Sequence, residues 1–149
     1  MTGTGARAAV EWLVSVAPDP AVCRWEWERS PLGVALLPAG RRWDVLILPR
    51  GLAAPTLAVL RRFAERLGPV LAGPTRVGFF VPTGTSAHWL GTGIRNAGDG
   101  SWIAVPYPGR AAARVHWLIA PDGSGTLNDP WLLEASMHEA VAATAANRS

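Results

Sequence analysis

The chain has 149 residues, 14 basic against 11 acidic side chains, a formal charge of +3 and 49% hydrophobic residues. This is the size of one ordinary domain, able to bury roughly 68–70% of its unfolded surface without disulfides or metals. It is too apolar and too weakly charged for a disordered chain, and its charge alone does not mark a nucleic-acid binder.

Every basic residue is Arg, with no Lys, and Cys23 is the single cysteine. One cysteine excludes an internal disulfide and fits a reducing cytoplasm. No apolar run approaches the ~20 residues of a membrane span. Glu11 interrupts the apolar stretch after Arg7, so no secretory leader and no membrane association are expected.

In chain order, Ala9, Trp12, Leu13 and Val16 recur at helical spacing and predict a helix over 6–17, stopped by Pro18 and Pro20. Trp25-Glu26-Trp27-Glu28 alternates apolar and charged residues, as a short half-buried strand or an exposed amphipathic turn does. The apolar runs 33–37 and 43–48 are strand candidates, able to pair as a hairpin through the turn between them. Residues 52–67 predict a helix with Leu57, Leu60, Ala64 and Leu67 on one face and Arg61, Arg62, Glu65 and Arg66 on the other. Pro55 would stand in its first turn and Gly68 just past its end.

Runs 70–72 and 77–81 predict two strands joined at Gly73-Pro74, and the unbroken apolar character of 77–81 predicts cover on both its faces. Residues 82–100 form a long Gly- and Thr-rich loop with a helical turn at His88-Trp89-Leu90. Strands at 102–105 and 115–119 follow, then a helix from Pro130 capped by Asp129. Grouped strands flanked by helices predict a single α+β domain over residues 1–149. Its sheet should be mainly antiparallel, with helices packed on one face.

The chemistry-bearing residues are sparse. Cys23, His88, His116, His138, Asp44, Asp99, Asp122 and Asp129 lack the paired spacing of a zinc site, so no metal and no cofactor is expected. His138 with Glu134 and Glu139 reads as a surface ion pair, and His116 as a hydrogen-bonded strand histidine. No serine lies in a nucleophile elbow, and without Lys there is no Walker motif. Gly91-Thr92-Gly93 lacks the strand and helix of a dinucleotide fingerprint, although its loop can offer amides to an anion.

Arg41, Arg42, Arg61, Arg62 and Arg66 are candidate phosphate contacts, set against the plainer reading of a solvated helix face. Of the eight tryptophans, Trp12 and Trp131 are assigned to helix packing and Trp43, Trp102 and Trp117 to core strands. Trp25, Trp27 and Trp89 remain as candidate ligand contacts. His88, Asp99, Tyr107 and His116 are the candidate acid–base groups.

The stretch from Gly100 through Trp102-Ile103-Ala104-Val105-Pro106-Tyr107-Pro108-Gly109, followed by Val115-His116-Trp117, resembles the paired strands of the bifunctional primase/polymerase domain of the archaeo-eukaryotic primase type. Trp43 to Pro49, Leu67 to Val70, Phe79 to Thr85 and Asp122 to Pro130 resemble small actinobacterial proteins assigned to that family. The resemblance implies a primase-like or RNA-recognition-motif-like sheet.

The departures define the expected function. Polymerase chemistry in that family needs an acidic pair on a strand to hold divalent metal. The corresponding Val77-Gly78-Phe79-Phe80-Val81 has no carboxylate, and Tyr107-Pro108-Gly109 replaces a Ser-x-His element. The chain is therefore expected to be a non-catalytic binding or regulatory module for a nucleotide, a single-stranded nucleic acid or a protein partner. Two alternatives stand beside it: a small enzyme using the four acid–base groups on a specialised metabolite, and a homodimeric interaction subunit burying exposed tryptophans.

Overall fold

The computed structural model describes residues 2–89, 94–110, 112 and 114–148. The elements are α1 (Thr2–Val14), α2 (Pro20–Arg29), β1 (Val34–Pro38), β2 (Asp44–Pro49), α3 (Arg50–Phe63), β3 (Val70–Ala72), β4 (Arg76–Val81), α4 (Thr85–His88), β5 (Arg95–Ala97), β6 (Trp102–Pro106), β7 (His116–Ile119) and α5 (Pro130–Arg148). The fold is α+β, with antiparallel sheets against which helices pack, as the sequence predicts.

Five strands form one sheet in the order β5-β2-β4-β3-β7, and β1 with β6 forms a separate ribbon. The predicted hairpin between the runs 33–37 and 43–48 does not form. β2 has β4 on one edge and β5 on the other, so it has no edge left, and β1 pairs along its length with β6. The predicted β3–β4 hairpin does form, closed by a hydrogen bond from the Gly73 amide to the Arg76 carbonyl.

The ribbon and the sheet share one bent ladder. β1 runs into β2 and β5 runs into β6, and the pairing frame of β1–β6 differs from that of β2–β5 by two residues. The corner lies where the Ala39 amide donates to the Ser101 carbonyl and the Gly40 amide to the Trp43 carbonyl. Gly40 has φ +91°, and a Cβ there would stand 2.5 Å from the Asp99 backbone, so both the conformation and the approach require glycine. The corner folds the ribbon back over one face of the sheet.

Both faces of the five-stranded sheet are consequently covered. On one, Val45, Leu71, Phe80 and Ala97 meet α1, α2 and the inner ribbon residues Ala35, Leu37 and Val105. On the other, Leu46, Leu48, Val70, Phe79 and Val81 meet Leu57 and Leu60 of α3 and Leu133 and Met137 of α5. The two-sided apolar character of 77–81 is the sequence signal for this arrangement. The helices α3 and α5 form the expected one-sided layer, and α1, α2 and the ribbon add a second.

Several helices differ from expectation: α1 spans Thr2–Val14 rather than 6–17, and the helical turn expected at His88-Trp89-Leu90 is α4 at Thr85–His88. Residues 25–28 belong to α2, whose N-cap Asp19 accepts from the Ala21 and Val22 amides. α3 starts at Arg50, which puts Pro55 inside it, and ends at Phe63 with Ala64 extended. The chain leaves the helix there to bring Gly68 against Leu127 and Asn128, where a Cβ would lie 2.5 Å from the Asn128 amide nitrogen. The predicted cap of α5 is present: Asp129 Oδ1 accepts from Trp131 at 2.9 Å and Leu132 at 3.4 Å. Among the described residues, no helix is long and apolar enough to cross a membrane.

Candidate functional site

Of the predicted site residues, Tyr107 lines one cleft and His88 another, on opposite sides of the sheet. The first lies between α1 and α2, lined by Ala6, Arg7, Val10, Glu11, Arg24 and Tyr107, with a volume of about 570 Å³. The buried faces of both helices pack into one core, which brings Arg7 and Arg24 to the same opening. Tyr107 follows β6, and its ring is positioned edge-on by Trp27 at 5.4 Å between centroids. The Arg110 guanidinium lies over the Tyr107 ring, 4.4 Å from its centroid. Arg110 also lines an adjoining groove with His116 and Trp117.

Two predicted ligand tryptophans are core residues instead. Trp27 is buried, and its indole N–H donates to the Val105 carbonyl at 2.9 Å. Trp89 is buried against the α3–α5 layer. Neither offers a ring face to a ligand. Trp25 is exposed, as are Trp102 and Trp131, which the sequence assigns to packing.

The four acid–base candidates do not converge. His88 sits at the end of α4 and Asp99 in the turn after β5, against Gly40. Tyr107 and His116 flank Arg110. Among the described residues no hydrogen bond or ion pair joins any two of them. His116 is exposed on the edge strand β7, and among the described residues its side chain makes no hydrogen bond.

The predicted arginine patch is also divided. Arg41 donates to the Val16 carbonyl at 3.5 Å. Arg62 pairs with Glu139 at 3.2 Å, and Arg66 reaches Asp122 at 3.5 Å and Ser124 at 3.3 Å. Only Arg42 and Arg61 of the five carry no ion pair or hydrogen bond among the described residues. Ser124 donates to Asp122, and those hydrogen bonds hold the Asp122 carboxyl below its ordinary value. The Gly91-Thr92-Gly93 anion loop lies outside the described residues.

The second cleft, about 230 Å³, lies between α4 and α5 and is lined by Gly84, Thr85, His88, Pro130, Trp131 and Glu134. Asp44 positions α4. It is buried at the start of β2, and its Oδ2 accepts from the Gly84 and Ser86 amides, each at 3.0 Å. Its Oδ1 has no hydrogen-bond partner among the described residues. Among the described residues, Asp44 is also the single acidic residue on a strand. Among the described residues, no three His, Cys, Asp or Glu side chains gather in a group able to hold a metal ion.

Sequence reasoning missed Arg7, Arg24, Arg110, Trp131 and Glu134 as site residues. The Asp-Pro start at 129–130 puts Trp131 in the first turn of a helix but does not fix which way its ring faces. Nothing in the sequence signals that Arg7 and Arg24 meet. Compared with protein-family models, with curated proteins and with solved structures, the chain gives no match.

Proposed function

We propose that this chain is a non-catalytic, primase/polymerase-like binding module that takes a phosphate-bearing ligand, a nucleotide or single-stranded nucleic acid, in the α1–α2 cleft. The observation that carries this reading is the Arg110 guanidinium stacked on Tyr107 beside a cleft lined by Arg7 and Arg24. The cleft lining itself sets two guanidinium groups, Arg7 and Arg24, against one carboxylate, Glu11. Guanidinium groups match phosphate oxygens in bidentate fashion, and a ring with a stacked guanidinium offers a flat surface to a base. An open sheet face is not part of this reading, because both faces of the larger sheet are covered.

The non-catalytic part is supported by the strands themselves. β4 carries no carboxylate, and the acid on β2, Asp44, is buried with one oxygen engaged by two backbone amides. Two carboxylates facing one metal pair, which phosphoryl transfer needs, are not brought together there.

The test is fluorescence anisotropy of a labelled oligothymidylate, with ATP as competitor, across a salt series from about 25 to about 300 mM, run with the full chain. The expected result is affinity that falls with salt, at a slope of about −0.7 per phosphate contacted. Arg24→Ala and Arg110→Ala should each weaken binding several-fold and lower the slope by about 0.7. Absent binding, or binding indifferent to salt and to both substitutions, overturns the phosphate reading. Primer extension with Mg²⁺ or Mn²⁺ should yield no product, and robust extension would remove the non-catalytic part.

A further inference from the structure

The α4–α5 cleft has the opposite chemistry. One wall is the indole of Trp131, 68% exposed and the most open large apolar side chain described. The His88 and Trp131 rings form a T-shaped pair, 5.2 Å between centroids at an interplanar angle of 67°. At the other end is Glu134, one helical turn further along α5, with its side chain 35% exposed. Its Oε2 lies 3.9 Å from His88 Nε2 and its Oε1 3.9 Å from His138 Nε2. Both distances exceed a hydrogen bond. Among the described residues, therefore, nothing donates a hydrogen bond to the Glu134 carboxylate. On α3, Arg62 pairs with Glu139 of α5 rather than with Glu134.

A partly sheltered carboxylate beside a bare tryptophan is suited to one kind of guest. The electron-rich indole face attracts a cation, and the carboxylate supplies the counter-charge. A phosphate or carboxylate would be repelled by Glu134. A neutral ring would leave that carboxylate desolvated without compensation. A metal ion finds a single carboxylate, with the two imidazoles on different oxygens and, among the described residues, no group of ligands gathered.

We propose that the cleft bounded by Trp131, His88 and Glu134 binds an organic cation, a primary ammonium or guanidinium group carried on an alkyl chain. The charged head sits between the indole face and the Glu134 carboxylate, and the chain lies along Pro130. Such a group comes either from a small free amine or from a side chain of a protein partner. This site is separate from the phosphate cleft: it draws on other helices, the other face of the sheet and the opposite charge.

The experiment is calorimetric titration of the full chain with two probes, putrescine and N-acetyl-arginine methylamide, while the Trp131 indole N–H is followed by NMR. At least one probe should bind, with a dissociation constant on the order of 10 mM, as one cation–aromatic contact plus one exposed ion pair implies. Putrescine binding assigns a free amine, and binding of the arginine derivative alone assigns a partner's side chain. Glu134→Gln and Trp131→Ala should each weaken binding at least fivefold, with Glu28→Gln on α2 as the control that leaves it unchanged. Both substituted positions are solvent-accessible, and unchanged amide spectra would verify that the fold survives. If neither probe binds, or if binding survives Glu134→Gln, the proposal is wrong, whatever the oligothymidylate titration shows.

Discussion

Asp44 Oδ2 accepts from the backbone amide of Ser86 at 3.0 Å, across 42 positions of chain. With the matching bond from Gly84, it fixes the turn from which α4 starts, and so the place of His88. The conformation of that turn also rests on Gly84, at φ +90°.

Replacing Asp44 by Ala should therefore cost about 2–4 kcal/mol, because two sheltered amides lose their acceptor. Asp44→Asn keeps an acceptor oxygen and removes a buried charge, so it should cost about 1 kcal/mol or less. Urea midpoints of the two variants check this. Equal losses would mean that the charge, not the pair of hydrogen bonds, is what the site needs.

Asn128 joins three segments. Its Oδ1 accepts from the Gly68 amide at 3.0 Å, and its Nδ2 donates to the Pro69 and Phe80 carbonyls, both at 3.1 Å. The two carbonyls keep other donors, the Phe80 and Asn128 amides, but the Gly68 amide has no substitute among the described residues. Asn128→Ala should cost about 2–3 kcal/mol, and exchange of the Gly68 amide hydrogen should speed up more than that of its neighbours.

Two glycines with nearly equal backbone angles should respond differently to alanine. Gly109 has φ +86° and open space where a Cβ would stand, so Gly109→Ala should cost about 1 kcal/mol of conformational strain alone. At Gly123, φ +88°, a Cβ would meet the Ala8 Cβ at 2.5 Å and its carbonyl carbon at 2.7 Å. Gly123→Ala should lower stability by at least a further ~1–2 kcal/mol through displacement of α1. Thermal melts of the two variants side by side give the comparison.

Burial pushes the Cys23 thiol up from 9.0 to about 11, with the Glu26 charge acting in the same direction and Arg24 opposing. The folded chain thus holds this proton more tightly than the unfolded chain does. The associated stability is fully present below pH 9 and is lost as pH rises towards 11. Urea midpoints between about pH 7 and 11 should fall more steeply for the native chain than for Cys23→Ala. Parallel curves would sink the assignment.

The elements legible in the sequence are those where local rules are sufficient. α5 is announced by Asp129-Pro130, and its cap forms as read. Asp19-Pro20 is the same signal, masked by the alternation at 25–28. In a strand Trp25 and Trp27 would share a face. In a helix they lie about 200° apart, so one is buried and the other exposed, as observed. The site is less legible because it depends on tertiary approach. Tyr107 and Arg110 are close in sequence, but their juxtaposition with Arg7 and Arg24 requires both N-terminal helices to dock. Trp131 reads as packing because helix membership is visible in the sequence and helix phase is not.

The bent ladder has a kinetic consequence. β2 must find β5 across about fifty residues of chain, a slow, non-local search. Once that pairing is set, the corner at Gly40 delivers β1 to β6 at short range, and the second pairing follows as a local zippering step. The covering ribbon thus inherits its alignment from the sheet beneath it. Because β4 also holds β2, a one-residue slip of β5 along β2 would propagate through the corner and turn Ala97 away from the core, and Val105 with it.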